Sequence, residues 1–575
     1  MKSRKEYVLC LKNFISLLFL LQITIGPFLG QPAWAVQMMK IGMKEEPKTL
    51  NIWLASDRWS NRVLSQIYQP LYYRKPDTME LIPWLAEASP VYDEKTLSYT
   101  VKLRSVKWSD GSDLTSGDVA FTGELIKTFK VPRAFSNWKF VRKVETPDQK
   151  TVKFYLKEPM ATFLTRTLTT LIVPKAEWIK VVEKAKRTEK PLATLLRHKV
   201  ENPMGCGPFV LEEWKTGAYL FLRKNKYFFG KGRKIRGLVL GPYIDGIIFK
   251  FYGTSDAAVL ALKKGSIDFF WWGIEGGYLD DLKKAEDIQL FYNERNALYY
   301  LGFNVRKPPF QDPHMRRAIA TLIDKDFIIT RILQGQGSKM DSIIPAGNRT
   351  FYNPNLPKYG DGLSKEERVR TAYEILKKAG YIWKIAPVDD SGKIVKGEEI
   401  MLPNGRPMGK ITILTPPSDY DPARAMSGII IQEWLREMGI PAWAKPMPFG
   451  SLTQQISVSR DFDAYILGYG RLSLDPDYLR KFFHSSDDKI RGSNRSGYRN
   501  ELFDRIADQS ARTLNEEKRR ELIWEMQKII MQDVPWIPLY NPHLIEAVHK
   551  GKFKGWIPMI EGIGNPWSFC TVKPK

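Results

Sequence analysis

The alternation of apolar and polar positions divides this chain into two regimes. In the first, KTLSYTVKLRSVKWSDG places Leu97, Tyr99, Val101 and Leu103 at period two and stops at Asp110-Gly111, which predicts a half-buried strand ending in a reversal. LTSGDVAFTGELIKTFK then offers Thr115 and Asp118 at capping-box spacing, so a helix should start there. From residue 312 onward the pattern becomes helices alternating with short strands. DPHMRRAIATLID puts Pro313 at a first helical position behind Asp312, with Met315, Ile319, Leu322 and Ile323 on one face. SKEERVRTAYEILKKAG pairs Ser364 with Glu367 as a capping box and stops at Gly380. KITILT, DPARAMSGIIIQEWLREMG and IPAWAK read as strand, helix, strand, the unit of a mainly parallel sheet. NEEKRRELIWEMQKIIMQDV is a last long helix ending before Pro535.

Size and composition change the picture in one respect. A chain of 575 residues exceeds one ordinary core, so two or more lobes are expected. With 43% hydrophobic and 26% charged residues the chain is globular and not disordered. Its beginning is of another kind: MKSRKEYVLCLKNF is basic, ISLLFLLQITIGPFLG is apolar, and QPAWAV supplies Ala33 and Ala35. This is a secretory signal peptide, with cleavage expected after Ala35 to leave 540 of the 575 residues outside the cytoplasm. The leader's Lys2, Arg4, Lys5 and Lys12 against Glu6 remove +3 from the formal +25, leaving +22. These charges are scattered, so they imply solubility and surface steering, with no nucleic-acid partner. Only Cys206 and Cys570 survive processing; they can pair in an oxidising compartment, but spacing does not decide it.

Motifs with a chemical rationale are missing: there is no GxxxxGK[ST], GxSxG, HExxH or CxxC. The five histidines lie far apart, and Asp110, Asp113 and Asp118 suit turn and helix-start chemistry better than a metal. No cofactor and no metal are expected. Aromatic residues do stand beside glycines in three nonperiodic segments, ASDRWSN at 55–61, DFFWWGIEGG at 268–277 and LGYG at 467–470. Flat rings next to bare backbone suit a cleft that holds a ligand by stacking and main-chain hydrogen bonds.

KTLNIWLASDRWSNRVLSQIYQPLYYR, the 82–122 stretch beginning IPWLAEASP, NPMGCGPFVLEEWKTGAYLFLRKNKYF, VLALKKGSIDFF, LYYLGFNVRKPPFQDPHMRRAIATLIDKDFI, SGIIIQEWLREMGI and VPWIPLY occur in this order. The chain thereby resembles the extracellular solute-binding proteins of family 5, dipeptide and oligopeptide receptors of ATP-binding cassette importers. The resemblance implies an α/β, two-lobed periplasmic binding protein fold of class II, the large type with an extra N-terminal subdomain and a hinge between lobes. It places lobe I at 36–300 with the subdomain at about 75–200, lobe II at 301–540, and a return to lobe I at 541–575. It also implies a monomer in the periplasm that captures a peptide or peptide-like solute, does no covalent chemistry, and delivers its cargo to a membrane permease.

In peptide receptors of this family an aspartate four residues after the glycine matching Gly468 pairs with the peptide's amino terminus; here that position is Leu472. A leucine accepts no charge-assisted hydrogen bond, and a buried ammonium without a partner costs several kcal/mol. The neighbouring Arg471 opposes an ammonium and suits a carboxylate or phosphate. Asp475 or Asp57 remain as substitutes. The expected ligand site comprises Ser56, Asp57, Arg58 and Trp59 from the first lobe, Trp271 and Trp272 on the wall, and Gly468, Tyr469, Gly470, Arg471 and Leu472 from the second lobe. A receptor for an anionic conjugate or oligosaccharide, a secreted hydrolase and a basic adhesin are the alternatives.

Overall fold

Two mixed sheets carry the architecture. The computed structural model describes residues 37–575 apart from Arg236, so the expected leader, its expected cleavage position and Cys10 lie outside the described residues. The first sheet has seven strands in the order Ile288–Asn293, Leu544–His549, Phe269–Phe270, Met38–Met43, Gly246–Phe251, Tyr219–Lys224, Phe209–Lys215. The second has six: Gly337–Lys339, Trp536–Pro542, Leu298–Phe303, Ala464–Tyr469, Ile411–Thr415, Ala442–Pro446. Period-two alternation builds a core on each face of both. In the first sheet Phe269 and Val548 point into one cluster while Phe270 and Ala547 point into another. In the second, Leu301, Ile413 and Ile466 face one cluster, and Tyr300, Leu414 and Tyr465 the other. Two separately packed sheets make the protein two-lobed.

The chain passes between the sheets at 294–297 and again at His543. The two crossings lie side by side, because Asn541 Nδ2 donates to the Arg295 carbonyl at 2.7 Å. A separate four-stranded antiparallel sheet, Val91–Asp93, Ser98–Lys102, Thr151–Leu156 and Val141–Asp148, shares the first lobe's core. The segment that follows this sheet touches the second lobe: Ala161 N donates to Ala511 O at 2.9 Å, and Thr165 Oγ1 donates to Asp475.

Local rules account for the element ends. Ser364 and Glu367 form a reciprocal capping box, at 3.2 and 2.7 Å, on the helix Lys365–Lys378. Asp312 caps the helix Pro313–Leu322 through His314 N at 2.9 Å. The unit Ile411–Thr415, Pro422–Glu437, Ala442–Pro446 is strand, helix and parallel strand, with Ile411 opposite Ala442. Leu97 departs from the predicted strand: its φ of 49° places it in the turn ahead of Ser98–Lys102. The three clustered acids are occupied locally, Asp110 by Ser112, Asp113 by Lys107, and Asp118 by the backbone N–H groups of Thr115 and Lys175. Cys206 and Cys570 are free and buried, and burial pushes both thiols up to about 12, so neither is a ready nucleophile at neutral pH.

Candidate functional site

Three surfaces meet near the crossings, and the helix Arg58–Ile67 supplies the first. Asp57 is its N-cap: Oδ1 accepts from Ser60 N at 2.8 Å and Oδ2 from Ser60 Oγ at 2.6 Å. Asp57, expected at the ligand, is therefore committed to holding its own helix. Ser56 and Arg58 are exposed. One turn along, Arg62 shares the helix face with Arg58, a like-charged i,i+4 pair that is unfavourable unless something opposes it.

The tryptophans divide between core and wall. Trp271, expected on the wall, packs in the first lobe's core, its ring 5.1 Å from Phe569 and 6.2 Å from Phe249. Half-buried Trp272 stacks on Trp59 at 5.3 Å and 29°. Arg58 lies 4.8 Å from the Trp272 ring centroid. Arg62 lies 5.0 Å from that of Trp59 and 4.6 Å from that of Trp271, and it donates to the Trp271 carbonyl. Two guanidiniums thus hold fixed positions on an aromatic platform.

The second lobe presents the end of the strand Ala464–Tyr469. Gly468 stands opposite Tyr299 in the pairing, and a Cβ there would sit 2.5 Å from the Tyr299 ring, so the position admits only glycine without movement. Tyr299 itself stacks on Tyr540 at 4.9 Å. Tyr469 turns inward onto Phe482, 4.8 Å away, and Leu472 is buried in the same core. These two side chains, expected to close on the ligand, instead anchor the loop. Leu472 N donates to Asn296 O at 2.6 Å, and Asn296 Nδ2 donates to Leu472 O at 3.0 Å. This clamp leaves Gly470 and Arg471 exposed beside the 294–297 crossing.

Asp475, the other expected substitute, is engaged in the core. It is 1% exposed and bound by both Arg519 Nη atoms, at 2.9 and 2.8 Å. Asp475 is thus closed off in the core, while the half-exposed Asp57 is shared with the start of its own helix.

The residues that sequence reasoning missed lie at the crossings. Arg295 and Asn296 occupy the first, Glu546 follows the second, and Glu561 accepts from Asn296 N at 2.9 Å. Only the Arg58/Arg62 spacing was a readable signal; Arg295 sits in an irregular connection without any pattern. Arg62 is pushed down to about 9 by burial and then by Arg58. Burial raises the Glu546 carboxyl to about 7, although Ile563 N donates to it at 2.6 Å. Glu177, buried in the first lobe, is likewise raised to about 7. Both carboxyls bind protons more tightly folded than unfolded, so stability should fall as pH rises from about 4.5 through 7. Each group's share is on the order of 2 kcal/mol. Urea unfolding at pH 5 and pH 8 checks this: Glu546→Gln should reduce the difference, and an unchanged difference would refute the assignment.

The family model described as Bacterial extracellular solute-binding proteins, family 5 Middle, matches residues 80–490. The oligopeptide-binding protein AppA of Bacillus subtilis strain 168 is 27% identical over 511 residues, covering 88% of this chain and 86% of that protein. The probable D,D-dipeptide-binding periplasmic protein DdpA of Escherichia coli K12 is 25% identical over 537 residues, covering 92% and 93%. The structure of HbpA2 from Haemophilus parasuis superposes with a TM-score of 0.74 at 22% identity, over 94% of this chain and all of that one (100%).

Proposed function

This chain belongs to the bacterial extracellular solute-binding proteins of family 5, and from that premise we propose that it is the substrate-binding component of an ATP-binding cassette importer. It captures a peptide or peptide-like solute between its lobes and hands it intact to a membrane permease. The observation that carries this reading is the joining of two independently packed sheets by two adjacent crossings, with the Arg58–Trp59–Trp272 platform on one side and the Gly468–Arg471 loop on the other. A solute touching both sides favours closure through contacts that the open form lacks. Capture requires no covalent step, so the protein acts as a carrier and not as an enzyme, working as a monomer in the periplasm after removal of residues 1–35. The subdomain belongs to the first lobe, and the segment after about residue 540 returns to it.

Thermal unfolding of the mature protein against a mixed peptide library tests the proposal. A captured peptide at a hundred times its Kd should add about 2.7 kcal/mol of stability. Mass spectrometry should then recover that peptide unchanged from the complex. A library that leaves the transition in place, or a recovered peptide that has been cleaved, would overturn the reading.

A further inference from the structure

Four arginines from three different elements lie within electrostatic reach of one another: Arg58 and Arg62 from the first-lobe helix, Arg295 from the crossing, and Arg471 from the second-lobe loop. Arg58 and Arg62 are fixed on the tryptophan platform. Arg295 Nη2 lies 3.3 Å from where a Cβ on Gly273 would stand, which sets it beside the platform, and its Nε is buried with no partner among the described residues. The double clamp between Asn296 and Leu472 holds the backbone at Arg295 close to that at Arg471. Both lie within electrostatic reach of Arg58, and Arg471 also of Arg62 and Tyr73.

Among the described residues none of the four arginines makes an ion pair within 4.0 Å, whereas the buried Arg519, Arg368 and Arg424 pair with Asp475, Asp324 and Asp421. Two acids face the cluster. Glu561 is engaged by Asn296 N, and Glu546 is engaged by Ile563 N and by Asn293 Nδ2 at 3.3 Å. Of the two carboxyls that face these guanidiniums, Glu546 is kept partly protonated at neutral pH by burial. Solvated arginines on a convex surface would splay apart; these are held together on rings and crossing backbone.

We propose that the cleft receives an anionic end of its solute: a peptide-like molecule bearing at least two carboxylates, gripped by Arg58, Arg62, Arg295 and Arg471, with its amino end blocked or directed elsewhere. Guanidinium pairs bind carboxylates through parallel charge-assisted hydrogen bonds, and the stacked tryptophans fix their planes. The inference rests on the carrier reading and names the charge of the cargo.

Isothermal titration at low salt with four probes tests it: N-acetyl-triglutamate, the same peptide with its carboxyls amidated, free-amine trialanine, and citrate. The acetylated acidic peptide should bind, and its amidated form and trialanine should bind at least tenfold more weakly. Arg471→Gln and Arg58→Gln should each weaken the acidic peptide roughly 10- to 100-fold, the range for losing a charge-assisted hydrogen bond. Their ligand-free unfolding transitions should stay within a degree or two of the parent's, since neither side chain is buried. Binding of citrate without the acidic peptide would keep the anion site and assign it to a non-peptide carboxylate. The inference is overturned if trialanine binds as well as the acidic peptide, if both variants keep full affinity, or if all four probes are silent. Silence of these probes while a broad peptide library still stabilises the protein defeats the anionic inference alone; silence of the library too defeats the carrier reading.

Discussion

Asp475→Asn is expected to lower the unfolding free energy by about 3–5 kcal/mol, the range for removing one member of a buried ion pair. Asp475 is 1% exposed and its partner Arg519 is 5% exposed. The carboxylate accepts both Arg519 Nη groups, the Thr165 hydroxyl and, at 3.0 Å, the backbone N–H of Asp477. An asparagine of the same shape supplies one carbonyl where two charged oxygens were, and it turns an NH2 toward a guanidinium that has no route to water. The pair itself need contribute little, because burying both ions has its own cost, so Asp475→Leu with Arg519→Met should recover much of the loss. The pH dependence has a definite sign. Arg519 holds the Asp475 carboxyl far below the usual carboxylate range, against the pull of burial. Its contribution is therefore fully present above the ordinary value of 3.8 and is lost as pH falls below it. Asparagine should flatten that acid limb. Equal urea midpoints for parent and Asp475→Asn at pH 7 would refute the argument.

Gly205→Ala is expected to cost about 3 kcal/mol, the upper part of the range for overpacking. The Gly205-Cys206-Gly207 segment lies against the C-terminal end of the helix Arg58–Ile67, and Gly207 N donates to Ile67 O at 2.8 Å. That bond satisfies a carbonyl which a helix end otherwise leaves orphaned. A Cβ on Gly205 would stand 2.0 Å from the Ile67 oxygen, and one on Gly207 2.2 Å from the Gln66 oxygen. Both obstacles are backbone atoms, so no side-chain rotation relieves them. The helix would have to shift, and with it Arg58, Trp59 and Arg62, so peptide-induced stabilisation should shrink along with stability. Cys206→Ala leaves this backbone contact untouched and should be milder. A Gly205→Ala protein that unfolds at the parental urea concentration would contradict the close approach.

The termini of the helices were legible because caps are local. Thr115 with Asp118, Ser364 with Glu367, and Asp312 before Pro313 each satisfy backbone groups within three or four residues, and all three form as the spacing predicts. The strand, helix, strand run over 411–446 was equally plain, since its apolar stripes repeat at the periods of the two structures. The aromatic residues misled in part. Trp271 and Trp272 are neighbours in sequence, but a strand end turns one into the core and leaves the other half-exposed under Arg58. Nothing in WW distinguishes them.

What the sequence determined by itself was the set of short-range choices: where helices begin and stop, and which positions face inward. Only the tertiary structure decided which charges meet. Asp475 and Arg519 are 44 residues apart, and Arg58 and Arg471 are separated by over four hundred, yet the first pair cancels in a core while the members of the second come within electrostatic reach of each other and form no ion pair within 4.0 Å among the described residues. The reason is the nature of the forces: hydrogen-bonded caps and apolar periodicity act over one or two turns, whereas charge acts through space and depends on how two sheets and their crossings come to rest.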